Sequence, residues 1–351
     1  MPGAEALQRA EELHQEFPVV DCHGDIAMDV LRRQQAGEAA PLADDYAARL
    51  RQGGVRIEFM TVGGDQPLSM DGVGSPALRA LELIDAVLNE ADRSPDLQVI
   101  RTQADLDLTI ARRSVGLVLH LEGLAPARGR PELVRTFHRL GVRSTQLTWN
   151  MRNEVADGVG EAVPAGLSTV GREITSELDR MGYVIDVSHL APHGFWDVVE
   201  LADGPIVASH ANAMTIWPHP RNLEDDQIWA IASSGGFVGV CFFPAFIGEE
   251  SSLDALLDHV DHLVGLVGAD HVGVGPDYVD FARDLMLADL TWGGGGIDYG
   301  DDLEFGAGLD RVETLPVFTA GLLERGYSET DVAKIIGGNA VRLLREVLPT
   351  S

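Results

Sequence analysis

Cysteine is nearly missing from this chain of 351 residues, which holds only Cys22 and Cys241. Two thiols cannot build the disulfide framework of a small secreted scaffold, and they fit a reducing compartment. Both lie in apolar runs that read as strands, VVDCH and VGVCFF, which predicts packed core thiols. Positive charge is also scarce: 26 Lys and Arg stand against 55 Asp and Glu, for a formal net charge of −29. Nucleic-acid binding requires cations that neutralise phosphates, so that partner class is excluded. No stretch approaches the roughly 18 unbroken apolar residues that a membrane span needs. The opening MPGAEALQRAEELHQEF lacks the basic start and apolar core of a secretory leader. The closing VRLLREVLPTS lacks an apolar tail for a lipid anchor. These absences predict a soluble, cytoplasmic protein without a membrane partner.

What is present is material for a large core. The apolar fraction is 45%, ordinary for a globular protein, and the length allows one large barrel or two domains. Eight strand candidates follow one another: FPVVDCH, VRIEFMTV, VGLVLHLEG, VRSTQLTW, YVIDVSHL, PIVASHA, GGFVGVCFF and HVGVGPDY. Most are continuous runs rich in Val and Ile, the pattern of parallel strands covered on both faces. Helix-like segments such as SPALRALELIDAVLNEADR and SLDALLDHVDHLVGLVG lie between them. Strand–helix alternation without a linker or repeat predicts an α/β fold, a (β/α)8 TIM-type barrel, with residues 1–351 as a single domain. Glycine-rich loops (GGDQPLSMDGVGS, ADGVGEAVPAG and TWGGGGIDYGDD) interrupt the pattern. The last follows the eighth strand and would reach the catalytic face as a lid or substrate loop, or serve as a plain surface insert.

Five residues of metal-ligand type end these strands: His23 and Asp25 in VVDCHGDIA, Glu122 in VLHLEGLA, His189 in VIDVSHLA and His210 in IVASHANA. Enzyme barrels build metal sites from the C-terminal ends of several strands. This donor set, with one carboxylate able to bridge, suits a pair of divalent ions such as zinc, and so hydrolysis. His23 and Asp25 are two apart and face one way in a strand. Asp21 shares that period, either orienting a ligand histidine or standing as a satisfied strand-end carboxylate. His120 shares the face of Glu122 and is a rival ligand by spacing. Arg221, soon after His210, would form a fork-like pair with a substrate carboxylate, or an ion pair with Asp225 or Asp226. Asp277 ends the eighth strand, where a general acid or base would sit. Asp298, Asp301, Asp302 and Glu304 in the last loop could draw a cationic substrate side chain.

These blocks resemble the membrane (renal-type) dipeptidase family, peptidase family M19, within the amidohydrolase-like metal barrels. The likeness is carried by VVDCHGDIAMDVL, LHLEG, DVSHL, ASHANAMTIWPHPRNLEDDQI, VGVGPDYVDF and KIIGGNAVRLLREV, in the family's order from about Val19 to Val347. It implies two Zn2+ per chain, one held by His23 and Asp25, the other by His189 and His210, with Glu122 bridging. It implies that Arg221 contacts a small dipeptide substrate, that Asp277 handles the proton of a metal-bridging hydroxide, and that the protein is a homodimer. Related chemistry on N-acyl amino acids, β-lactams or lactones is the alternative, and a non-catalytic metal-binding barrel a more distant one. Two departures bear on the substrate. The family histidine that polarises the scissile carbonyl is matched here by Asn150, which offers a hydrogen bond without charge. A family tyrosine after the seventh strand is matched by Phe243, which removes a hydroxyl.

Overall fold

The computed structural model describes residues 1–65, 75–281, 297–299 and 304–350. Nine strands form among these residues: β1 (Val19–Gly24), β2 (Val55–Gly64), β3 (Leu97–Val99), β4 (Val115–Glu122) and β5 (Val142–Gln146), then β6 (Val184–Asp186), β7 (Ile206–Val207), β8 (Val238–Val240) and β9 (Val272–Val274). Every ladder is parallel. β1, β2, β4, β5, β6 and β7 are neighbours in chain order, β8 pairs with β9, and a bridge from Ala208 to Val238 carries the order across. Each of the eight expected runs holds one of these strands, and helices such as Pro76–Ala91, Pro131–Leu140, Thr169–Met181 and Leu253–Val267 cross between them. The architecture is the TIM-type barrel that the alternation predicts.

β3 is an addition that the alternation does not predict. Its three residues pair with Val115–Leu117, the part of the β4 edge that β5 leaves open, because β5 joins only from Leu119 onward. A run that short carries no periodicity to read.

The two ends of the barrel differ in what fills them. At the N-terminal end of the strands, the closing helix Asn339–Val347 packs Ala340, Val341, Leu343 and Leu344 into one apolar cluster with Val20, Cys22, Ile57, Phe59, Val118, Val184, Val207 and Phe237. Asn339 Nδ2 donates to the carbonyls of Ala269 and Val272 (2.7 and 2.8 Å), which fixes that helix under β9. The other end is polar and holds the residues singled out above. Cys22 and Cys241 are free, buried thiols, as their apolar surroundings predict. Most of GGDQPLSMDGVGS and TWGGGGIDYGDD, with Asp301 and Asp302, lies outside the described residues.

Candidate metal centre

His23 lies in β1 with Asp25 just past it, and Glu122 is the last residue of β4. His189, His210, Phe243 and Asp277 are each the third residue beyond a strand, after β6, β7, β8 and β9 respectively. These four therefore sit on loops at one height, above short ladders. Two of them hold left-handed backbone, His189 at φ 65° and Asp277 at φ 60°. That conformation is uncommon for a residue with a Cβ and persists where the surroundings over-determine it. The loop carrying His210 is gripped closely. A Cβ on Gly239 or on Gly275 would come within 1.9 Å of the Ser209 carbonyl oxygen, so only glycine allows this approach.

The side chains converge. Glu122 Oε1 lies 3.2 Å from His189 Nε2, 3.5 Å from His23 Nε2 and 3.8 Å from His210 Nε2. His23 Nε2 also faces Asp25 (3.8 Å) and Asp277 (3.9 Å). Within one set of donor atoms stand His23, Glu122 and His210; within a second stand His23, Asp25 and Asp277. His120, the rival by spacing, belongs to neither: its Nδ1 is 2.9 Å from Ser144 Oγ and its ring meets His23 edge-on at 5.7 Å. Asp21 accepts the backbone N–H of His23 at 3.0 Å and faces Glu58, Tyr46 and Tyr278 across a small cavity. It braces the backbone of His23 and makes no hydrogen bond to the ring.

Hydrogen bonding decides which nitrogens are available. His189 Nδ1 is 2.7 Å from Asn150 Oδ1, and His210 Nδ1 is 2.7 Å from Ser209 Oγ. Asn150 Oδ1 only accepts, so His189 donates from Nδ1 and turns its Nε2 lone pair towards His210 Nε2, 2.9 Å away. Burial, with Arg221 and His23 nearby, holds both imidazoles well below the usual histidine range, hence neutral. Both ring nitrogens of His23 are buried without a hydrogen-bond partner among the described residues. Burial and the like charges of Asp25 and Asp277 push the Glu122 carboxyl well up. Asp277 is pushed up to about 7 by burial and by Asp25, with Arg221 pulling the other way. Three carboxylates buried beside neutral imidazoles repel one another unless cations lie between them. The donor set therefore fits divalent metal ions, and the nitrogen and oxygen donors suit borderline ones such as zinc.

Beside this cluster lies a cationic wall. Arg221 is 2% exposed, donates from Nη2 to the His210 carbonyl (3.1 Å) and stands 5.3 Å over the Phe246 ring. Its Nε has no partner among the described residues. Among the described residues Arg221 forms no ion pair with Asp225 or Asp226, the alternative offered for it; Asp225 binds Thr215 and His262 instead. Phe243 stacks on Phe246 (4.9 Å) and meets Tyr299 edge-on (5.5 Å). Asn150 joins the two walls: its Oδ1 holds His189 and its Nδ2 donates to the Tyr299 hydroxyl. His219 Nε2 pins the neighbouring Asp298 carbonyl at 2.9 Å. Asp298 and Glu304 are exposed.

Sequence reasoning missed several of these partners. Tyr299 is hidden in a glycine-rich loop, and it brings a hydroxyl to the wall that Phe243 lines. Asp65 follows β2 and gathers the loop of Asn150, accepting from Ala125 N, Trp149 N and Asn153 Nδ2 (2.6, 3.2 and 2.7 Å). Asp186 and Ser209 stand behind His210. The recurring Ser-His pair at 188–189 and 209–210 was the one available signal for this last group.

Comparison with known proteins gives the family. The model of the membrane dipeptidase family, peptidase family M19, matches residues 7–288 and 294–351. The chain belongs to that family. An uncharacterized dipeptidase of Schizosaccharomyces pombe is 29% identical over 93% of this chain and 80% of its own length. A metallo peptidase from Rhodobacter sphaeroides, solved with a phosphinate mimic of the dipeptide L-Ala-D-Ala, superposes with a TM-score of 0.80. It is 26% identical and covers 94% of this chain and 99% of that one. An amidohydrolase from Pseudomonas aeruginosa has a TM-score of 0.79 at 26% identity, over 96% and 98% of the two chains. The protein is thus a metal-using hydrolase of peptide bonds, and dipeptides are its substrate class. No helix among the described residues is long and apolar enough to cross a membrane.

Proposed function

We propose that this M19 member is a two-zinc dipeptidase. In this reading His23 and Asp25 hold one ion, His189 and His210 hold the other, and Glu122 is shared between them. The observation that carries it is the pair of neutral imidazoles whose Nε2 atoms stand 2.9 Å apart beside Glu122 Oε1. When bound, such ions supply an acidified water and a Lewis acid for the scissile carbonyl.

The chain's own residues do the rest. Arg221, buried with an unspent Nε, takes the substrate's C-terminal carboxylate and sets the distance from that end to the reacting carbonyl. Asp277, held among His23 and Asp25 by a left-handed backbone, accepts a proton and returns it to the leaving amine. Asn150 keeps His189 oriented and, with Tyr299, lines the side of the site where the family histidine and tyrosine would stand. Phe243 and Phe246 exclude water from that side. The dipeptide analogue carried by the Rhodobacter sphaeroides relative supports acceptance of a D-residue at the C-terminal position.

Metal analysis of chelator-free protein, run beside a panel of L-Xaa-L-Xaa and L-Xaa-D-Xaa dipeptides, tests the reading. About two zincs per active chain and turnover of free dipeptides are expected. Full activity with fewer than two metals overturns the two-zinc part, and turnover of N-acyl amino acids alone moves the substrate to another amide. The chain is further read as a single folded unit, a cytoplasmic homodimer. Two-fold assemblies are the commonest soluble oligomers, and a sedimentation mass of one chain at micromolar concentration rejects that assignment.

A further inference from the structure

Behind His210 lies a buried relay. Ser209 Oγ stands 2.7 Å from His210 Nδ1 and 2.5 Å from Asp186 Oδ2. The other Asp186 oxygen accepts the backbone N–H of Ser188 (2.9 Å) and of Ser209 (3.0 Å). All of these residues are at most 1% exposed. Among the described residues no Arg or Lys pairs with Asp186, and the only ion-pair partner it has is His120 Nε2 at 3.9 Å.

The direction of this relay follows from donor and acceptor inventory. Two backbone donors and one hydroxyl make Asp186 an acceptor at both oxygens, so the Ser209 proton is given to Asp186. Ser209 Oγ then meets His210 with a lone pair and receives the Nδ1 proton. That leaves the Nε2 lone pair facing Glu122 and His189. We propose that Asp186 is a positioning residue that acts through Ser209 to fix His210 in the Nδ1–H tautomer, the form able to bind metal through Nε2. The inference rests on the reading of His210 as a metal ligand. It also separates the two imidazoles of the site: His189 is set by a neutral amide, Asn150, and His210 by a carboxylate one residue removed.

A purely structural role, stitching the β6 and β7 loops through the two backbone N–H groups, is distinguishable. In Asp186→Asn the amide oxygen must stay on those two N–H groups, so the amide nitrogen faces Ser209. The relay then runs backwards: the amide donates to Ser209, Ser209 donates to Nδ1, and the imidazole proton moves to Nε2. Backbone stitching survives and the tautomer does not. A comparable Asp→Asn change beside an imidazole in serine proteases leaves geometry intact and acts through the tautomer.

The test uses metal-depleted full-length protein. Ring 15N correlations, with His210 assigned from its loss in His210→Gln, report the tautomer, and competition with a chromophoric chelator reports zinc affinity. Wild type is expected in the Nδ1–H form. Asp186→Asn is expected in the Nε2–H form, with zinc binding weakened on the order of 10–100-fold. Ser209→Ala should give a mixed tautomer and a smaller loss, which Ser209→Thr restores. Wild-type affinity with an Nδ1–H ring in Asp186→Asn overturns the proposal. If Asp186→Asn does not fold, equal tautomer and affinity in Ser209→Ala and Ser209→Thr overturn it. A wild type that binds no zinc sinks the two-zinc reading instead, while the tautomer measurement still judges the relay.

Discussion

The two ends of this barrel are built on opposite terms. The closed end is apolar: Leu344, Leu343 and Ala340 of the final helix sit against Val20, Ile57, Phe59 and Val118, and the one titratable side chain in the cluster, the Cys22 thiol, is kept protonated by burial. The open end packs Asp25, Glu122, Asp277, His23, His189 and His210 into space where, among the described residues, one fixed cation, Arg221, faces them. The first end stabilises the fold by removing apolar surface from water. The second costs stability until cations arrive and is kept for chemistry. The contrast teaches that substitutions at the two ends should change different observables.

The largest effect is expected from Glu122→Gln. The amide keeps the volume and loses the charge that offsets the ions, so kcat/KM should fall roughly ten-thousand-fold, as for other groups that act as a unit, with metal content reduced. The metal-free variant should melt higher than metal-free wild type, because a buried carboxylate among like charges is gone. Two zincs and wild-type turnover would show that Glu122 is not shared between ions. Leu344→Ala at the closed end should do the reverse. Urea unfolding should show a loss of about 2–5 kcal/mol, with zinc stoichiometry and KM of the folded protein unchanged.

His14 sharpens the comparison, since it is a titratable group buried away from the site. Its ring is held by the Gly53 carbonyl (2.9 Å) and Thr319 Oγ1 (2.7 Å), and burial lowers its pKa to about 4. The unfolded chain binds the proton near the ordinary value of about 6.5. Stability is therefore fully present above pH 6.5 and is lost as pH falls towards 4, by up to about 3 kcal/mol. His14→Asn should flatten that slope in unfolding measured between those pH values. An unchanged slope would assign the acid sensitivity to other histidines shifted by burial, His138 among them, or to the open end.

Much of this was legible in the chain. The Val-rich runs gave eight strands because parallel strands covered on both faces need continuous apolar residues, and the donors stood out because carboxylates and imidazoles are rare at the ends of such runs. Three residues of β3 could not be read, nor could the partners of the donors. Asn150 meets His189, and Asp186 meets Ser209, only because neighbouring strands bring distant residues to the same height. Local pattern carries no record of that. Asn150 itself shows the limit: its oxygen holds His189 and one amide hydrogen goes to Tyr299, partners that the residue type did not announce, while the second amide hydrogen keeps open the role of donor to the substrate.

Asn150→Ala should accordingly weaken zinc binding on the order of 10–100-fold as well as slowing turnover. Chelator competition on the variant checks this, and unchanged affinity would return Asn150 to the substrate alone. Tyr299→Phe is the mildest change. It removes one hydroxyl and should lower kcat/KM about tenfold, near the upper value of a single hydrogen bond, with metal content intact. No loss at all would reduce Tyr299 to an apolar wall beside Phe243.

Gly239 and Gly275 both press against the Ser209 carbonyl at a distance that no Cβ tolerates. Neither carries a group that could bind, polarise or transfer anything. An alanine at either place would nonetheless push back the loop that delivers His210, and with it that ring's place in the donor cluster. In a saturation library sorted only by turnover, these two silent backbone positions would therefore rank beside the histidines, and sorting by zinc retention as well would not tell them apart. Only a readout of where the loop sits, such as the exchange rate of its amide protons, would separate the residues that do the chemistry from those that make room for it.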